Sequence, residues 1–206
     1  MPEPAERLRR PSQEVQALIL SAARDLFQAK GFGGTTTKEI ALRAGVSEPL
    51  LFSNFGSKAK LFEKAVSGPF DEFTESYVRS WQQPDLDSSP GARIEGFVRG
   101  LMELTERNRG LLVDAIAPAS EAGAGARAGL VRAISAAFQR IHAIAYGPHP
   151  WTFDPAAMLA ATTGMVMSTV LLDDILFPPD APRPDREVLI AEITRLLLHG
   201  LDDRRA

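Results

Sequence analysis

The side chains able to do chemistry are few, and most are badly placed for catalysis. The three histidines, His142, His149 and His199, share no i, i+3 or i, i+4 spacing, so no two imidazoles fall together on one helix face to hold a metal. Cysteine is absent, which excludes disulfides and thiolate metal sites and leaves the redox compartment open. No Ser or Lys stands beside a recognisable base motif, so nucleophilic catalysis has no foothold; the sequence predicts neither an enzyme nor a cofactor. What remains is hydroxyl and amide chemistry concentrated between Thr35 and Lys58. Thr36 and Glu39 have the spacing of a capping box, in which each side chain satisfies a free amide of the other residue. Ser47 can cap a second helix, and Pro49 falls in its first turn, where a missing amide hydrogen costs little.

These residues need two short helices to hold them. The spacing predicts a helix over 37–44 with Ile40, Ala41 and Ala44 inward, a tight turn at Gly45-Val46-Ser47, and a helix from Ser47 to about Phe55. Before them, Val15, Leu18, Ile19, Ala22, Leu26 and Phe27 recur at helical spacing after Pro11, with Ser12 as N-cap and Gly31, Gly33 and Gly34 as the stop. After them, Ser57 caps a helix containing Leu61, Phe62 and Val66. Further helices are expected near 92–108, 111–119, 127–146, 155–177 and 185–200, separated by the loops 82–91, 147–155 and 178–184. The Ala- and Gly-rich stretch from Glu121 to Gly129 reads equally as a weak helix start or a joint. No stretch shows sustained period-2 alternation, so the fold class is all-α. Two short helices around a glycine turn are a helix-turn-helix pattern, but generic bundles also contain such pairs, and spacing alone leaves both readings open.

Composition narrows the field further. The chain has 206 residues, 45% hydrophobic and 24% charged, with a net charge of −3, an ordinary balance for a soluble globular protein. Residues 1–64 carry ten Lys and Arg against seven Asp and Glu, leaving +3 on this segment and −6 on the rest. A basic head on an acidic body suits phosphate contact by the head alone. The N-terminus has no apolar stretch behind its arginines, so no secretory signal is expected and the cytoplasm is the default. Pro155 to Leu172 is uncharged, but it carries Thr162, Thr163, Gly164, Ser168 and Thr169 and is flanked by Asp154, Asp173 and Asp174. It reads as a helix buried in a bundle or subunit interface, not a membrane span.

The segment GFGGTTTKEIALRAGVSEPLLFSNFGSKAKLF, Gly31 to Phe62, resolves the open reading. Gly31, Phe32, Thr35, Thr36, Ile40, Ala41, Ala44, Gly45, Val46, Ser47, Leu51, Phe55, Ser57, Lys58 and Leu61 match the pattern of the DNA-binding head of the TetR family of transcriptional regulators, which the segment closely resembles. With the preceding helix, the resemblance covers residues 12–66; the body resembles the family only in length and helix layout. The resemblance implies a flexible arm over 1–11, a helix-turn-helix domain over 12–58, and a helical ligand-binding and dimerisation body over 59–206. It implies phosphate contacts at Thr36, Ser47 and Lys58, with Thr35 and Thr37 on the same surface. Base reading is then expected from the second short helix, at Glu48, Pro49, Leu50, Ser53 and Asn54. Asn can bind adenine in a bidentate way, Leu or Pro can touch a thymine methyl, and Glu can accept from cytosine or simply favour the positive end of its helix. Two residues depart from the pattern. Phe52 stands where a tyrosine is usual and cannot donate to phosphate, and Asn54 stands where His or Tyr is frequent.

For the body, the resemblance implies an apolar small-molecule effector bound between helices, and Phe73, Tyr77, Phe97, Met102, Phe138 and His142 are the candidates to line its pocket. It also implies a homodimer on a palindromic operator in double-stranded DNA. Ala161, Gly164 and Ser168 would allow close helix approach, and Leu189, Ile193 and Leu196 give an apolar stripe for the same interface. The expected function is a repressor released by its effector. The alternative is a helical ligand-binding or scaffolding protein with a degenerate head, for which Phe52 and the small net charge are the support.

Overall fold

The computed structural model describes residues 12–82, 89–117, 121–145, 154–180 and 182–202; the expected arm over 1–11, together with His149, lies outside them. The described residues form helices joined by short connections, without a strand. α1 (Ser12–Gly34), α2 (Thr37–Ala44) and α3 (Glu48–Phe55) make the head, and α4 (Lys58–Gln82) leaves it. The body continues with α5 (Pro90–Arg107), α6 (Arg109–Ile116), α7 (Glu121–Ala145), α8 (Pro155–Leu171), the single turn α9 (Asp173–Leu176) and α10 (Arg186–Asp202). The Ala- and Gly-rich stretch from Glu121 is therefore helix. The helix expected over 155–177 instead breaks at Leu172, which ends α8 and caps α9.

The head is held by the residues whose periodicity marked them. Val15, Ile19, Ala22, Ala23 and Phe27 of α1 meet Ile40, Ala41 and Ala44 of α2 and Leu51 of α3 in a buried cluster. Leu61, Phe62, Ala65 and Val66 of α4 join the same cluster, so the first turns of α4 belong to the head's core as well as the body's. α1 packs on α2, α4 and α6, and α4 runs along α7. α5 packs on α8 and α10, which closes the far end of the bundle. Thr74 and Thr105 sit in this apolar interior without penalty because their hydroxyls donate to Phe70 O and Leu101 O, one turn back.

Three contacts of α1 tie head to body. Gly31 interrupts α1 with φ 69° and ψ 173°, a conformation that strains any residue with a Cβ. The break leaves the Phe32 amide without a helical acceptor, and Asp114 of α6 supplies one at 2.8 Å. Nearby, the Gln28 side chain donates through Nε2 to Arg107 O, and Arg24 reaches across to Glu72 of α4 at 2.9 Å. α6 is anchored at its other end by Arg109, which donates to Val170 O at 3.2 Å and pairs with Asp173 at 3.0 Å. No helix among the described residues is long and apolar enough to cross a membrane.

Candidate DNA-binding surface

The turn between α2 and α3 is built by local chemistry. Gly45 takes φ 66° and ψ 34°, the left-handed conformation that ends a helix and that glycine adopts most cheaply. Ser47 then caps α3 by accepting from the Leu50 amide, and the Leu51 amide reaches Ser47 O at 3.1 Å. Leu51, fully buried, is the residue that fixes α3 against the head. Arg43 pairs with Asp25 at 2.7 Å and pins α2 to α1.

The three helix N-termini of the head differ in electrostatics, and the difference decides where an anion can land. At α2 the capping box is complete. Thr36 donates its amide and its hydroxyl to the Glu39 carboxylate, both at 2.9 Å, and accepts from the Glu39 amide at 3.2 Å. Lys30 pairs with the same carboxylate at 2.7 Å. That pairing, followed by the two Thr36 hydrogen bonds, holds the Glu39 carboxyl at about 2, well below its ordinary 4.5. A carboxylate therefore already occupies the positive end of α2. At α3, Glu48 stands in the first turn and accepts from the Thr37 hydroxyl. At α4 there is no acid in the first turn; Ser57 caps it through the Lys60 amide at 3.1 Å, and Lys58 and Lys60 flank it. This is the helix end left open to phosphate.

Lys58 is positioned as well as charged. Its Nζ lies 4.2 Å from the centre of the Phe32 ring, which is itself stacked on Phe27 at 5.9 Å and tilted on Phe62 at 5.1 Å. Partial burial pulls its pKa below the ordinary lysine value, with the Glu39 charge acting in the opposite direction.

Several expected contacts change in this light. Thr35 is 1% exposed, and its hydroxyl lies 2.8 Å from Gly31 O and 3.1 Å from Leu26 O, so it closes the end of α1 and cannot reach DNA. The Thr36 and Thr37 hydroxyl hydrogens are given to Glu39 and Glu48, not offered to phosphate. Ser47 is exposed, and Lys58 is half-buried at the edge of the surface. On α3, Pro49, Leu50, Phe52 and Ser53 are exposed, while Glu48 and Asn54 are half-buried. Lys60 was not singled out by sequence reasoning; the absence of an acid from the first turn of α4 was the signal that could have found it.

The body departs further from expectation. A cleft of about 810 Å3 opens between α1, α4 and α5, and of the six candidate pocket residues only Phe73 and Tyr77 line it. Phe97 and Met102 are buried in the core; Phe138 packs half-buried against it, and His142 is exposed on α7. The correction has a simple cause: helical periodicity marks a residue as inward without saying whether it meets a cavity or another side chain. The cleft is not purely apolar either, because Arg24, Glu72, Arg93, Glu103 and Arg107 share its walls with the two rings.

Among the candidate interface residues, Ala161, Gly164 and Leu196 are exposed and Ser168 and Leu189 are half-buried. Ile193 is 4% exposed and belongs to the protomer's own core, so it is not free to meet a second chain. Exposed Leu172, Ile175, Leu176 and Val188 extend the apolar surface instead. Val188 belongs to the apolar stripe of α10, whereas Leu172, Ile175 and Leu176 went unnoticed because the break at Leu172 has no glycine or proline to signal it.

A helix-turn-helix whose outer helix face is exposed, beside an acid-free, lysine-flanked helix end, defines a DNA-binding regulator. The sequence pattern of the family described as bacterial regulatory proteins, tetR family, matches residues 19–65. The chain is 28% identical over 135 residues to the HTH-type transcriptional repressor Rv3405c of Mycobacterium tuberculosis, covering 61% of this chain and 71% of that protein. It superposes on a transcriptional regulator of the TetR/AcrR family from Thermobifida fusca with a TM-score of 0.58 and 26% identity, over 90% of this chain and 97% of that one. It also shares its fold with the regulator FadR of Bacillus subtilis in complex with stearoyl-CoA, with a TM-score of 0.60 at 15% identity, over 89% and 98% of the two chains. Residues 19–65 are a DNA-binding head of the TetR family, and the chain is a DNA-binding transcriptional regulator.

Proposed function

We propose that this regulator is a homodimeric repressor that holds a palindromic operator in double-stranded DNA and is released by a small-molecule effector. The observation that carries the reading is the contrast between the helix ends of the head: only α4 offers an unoccupied positive end, with Lys58 seated on Phe32 beside it. In this reading residues 12–58 are the DNA-binding unit and 59–206 the sensing and dimerising body. Ser47 and Lys58 contact phosphate, joined by Lys60, and α3 enters the major groove. Ala161, Gly164, Ser168, Leu189 and Leu196, with Leu172, Ile175 and Val188, form the two-fold interface; a second copy covers apolar surface that a single chain leaves in water.

The cleft between α1, α4 and α5 refines the effector. Phe73 and Tyr77 suit an apolar body, and the balanced arginines and carboxylates of the same wall suit a polar end, so the effector is amphiphilic. FadR, with its stearoyl-CoA, is a regulator of this fold that holds such a molecule. The test is an electrophoretic shift of the DNA upstream of the chain's own coding sequence, at low salt, with and without long-chain acyl-CoA. Retarded DNA that is released by the ligand supports the proposal. No retardation at low salt refutes DNA-holding by this head, and retardation untouched by any amphiphile refutes the effector class.

A further inference from the structure

The hydrogen bonds made by the polar side chains of α3 run back along the helix itself or to α2. Ser53 Oγ donates to Leu50 O at 2.9 Å, and Asn54 Nδ2 donates to the same carbonyl at 2.8 Å, so both polar side chains lie back along their own helix. Glu48 is half-buried and accepts from the Thr37 hydroxyl. What faces outward is apolar: Pro49 is exposed, and Leu50 and Phe52 keep 40% and 41% of their surface in solvent. At about 100° per residue these three and Ser53 occupy an arc of roughly 160° on the side of α3 opposite Leu51. Among the described residues no element covers the exposed parts of this proline, leucine and phenylalanine, which share one face of the helix.

We propose that this regulator reads its operator chiefly through the C5 methyl groups of thymines, with Pro49, Leu50 and Phe52 as the specificity-determining residues. The inference rests on the DNA-binding reading above. In the major groove thymine alone presents an apolar group, whereas guanine shows two acceptors and cytosine a donor. An apolar side chain pressed on a G·C edge strips water from those groups and returns no hydrogen bond, so the same three residues that favour thymine also reject G·C. The bond to Leu50 O lays Asn54 along its own helix and the bond from Thr37 holds Glu48 at the first turn, and both are less exposed than Pro49, Leu50 and Phe52. The half-site facing the N-terminal half of α3 is therefore A·T-rich, and discrimination within it comes from where the methyls lie.

The experiment uses the full chain. Duplexes retained by the protein are selected from a randomised pool, and the preferred site is remade with 2′-deoxyuridine at one thymine at a time, which removes the methyl and keeps base pairing. Titration at fixed salt is expected to show about a fourfold rise in Kd for each contacted methyl lost, and about sixteenfold when both half-sites are changed. Leu50→Ala, which should fold normally, removes the sensitivity at the thymine that Leu50 covers and keeps it at the others, and Asn54→Ala shifts Kd by less than about twofold with the selected sequence unchanged. Deoxyuridine without effect at every thymine overturns the methyl readout, and so does an Asn54→Ala variant that selects a different sequence. A protein that retains no duplex at low salt overturns DNA binding itself and the readout with it, an outcome distinct from retained duplexes that ignore the methyl.

Discussion

Two adjacent leucines on α3 give the sharpest test of how the head is built. Leu51 is fully buried and is the one buried residue of its helix, whereas Leu50 keeps 40% of its surface exposed. Leu51→Ala removes buried methyl groups and leaves a cavity that the fixed Ser47 cap and Gly45 turn prevent from closing fully; the expected cost is about 2–5 kcal/mol. Against a total stability of about 5–15 kcal/mol this is a large fraction, and for a domain of this size it lowers Tm by about 4–20 °C. Leu50→Ala removes as many atoms from a surface position, and its expected effect on stability is within about 0.5 kcal/mol. The two variants should also part in DNA titrations. Leu50→Ala weakens binding with stability intact, and Leu51→Ala weakens it through a loosened α3. Urea denaturation followed by far-UV circular dichroism, at one protein concentration because dimerisation couples to unfolding, measures the first quantity. A loss below about 1 kcal/mol for Leu51→Ala, or equal losses for the pair, would refute the assignment of the inward face of α3.

Further consequences follow from the same contacts. Lys58→Ala is expected to weaken binding to all DNA sequences alike and to lower the salt slope of log K by about 1; a loss confined to one operator contradicts a phosphate role. Glu39 has its folded pKa depressed from 4.5 to about 2, so its stabilising contribution is fully present above 4.5 and is lost as pH falls from there towards 2. Glu39→Gln should flatten that part of the pH dependence of the urea midpoint, and an unchanged profile refutes the linkage. Asp114→Ala leaves the Phe32 amide without its acceptor and is expected to cost about 1–3 kcal/mol in the same denaturation assay. Leu196→Glu, at a position 61% exposed, should give a folded monomer by sedimentation; a dimer of unchanged affinity would move the interface elsewhere.

The parts of the head that were legible in the sequence are those whose causes are local. Thr36 and Glu39 are three residues apart, Gly45 and Ser47 two apart, and each device satisfies backbone groups within a single turn, so residue types alone specify it. The boundaries of α2 and α3 followed directly. The same locality explains what misled. Thr35 has the residue type of a phosphate ligand, but its hydroxyl is captured by carbonyls exposed where α1 breaks at Gly31, and only the folded path of the chain shows it. Phe97, Met102 and Ile193 were read correctly as inward and wrongly as available. Periodicity reports a direction from the helix axis and is silent about what stands in that direction.

Asp114 shows where legibility ends. In the sequence it is one acid in a short helix of Leu, Val and Ala, with the look of a solvated position. In the fold it accepts from an amide 82 residues earlier in the chain, and that amide is free only because Gly31 takes a left-handed turn. The freed residue, Phe32, carries Lys58 on its ring, so an acid in the body fixes the seat of the lysine proposed to meet phosphate. Each step is ordinary chemistry, but the chain of steps joins α1, α4 and α6, and no window of sequence contains all three. The head's frame is therefore written locally and its attachment to the body is not. Substitutions at the attachment should then alter how the head is held while leaving its caps and turn intact.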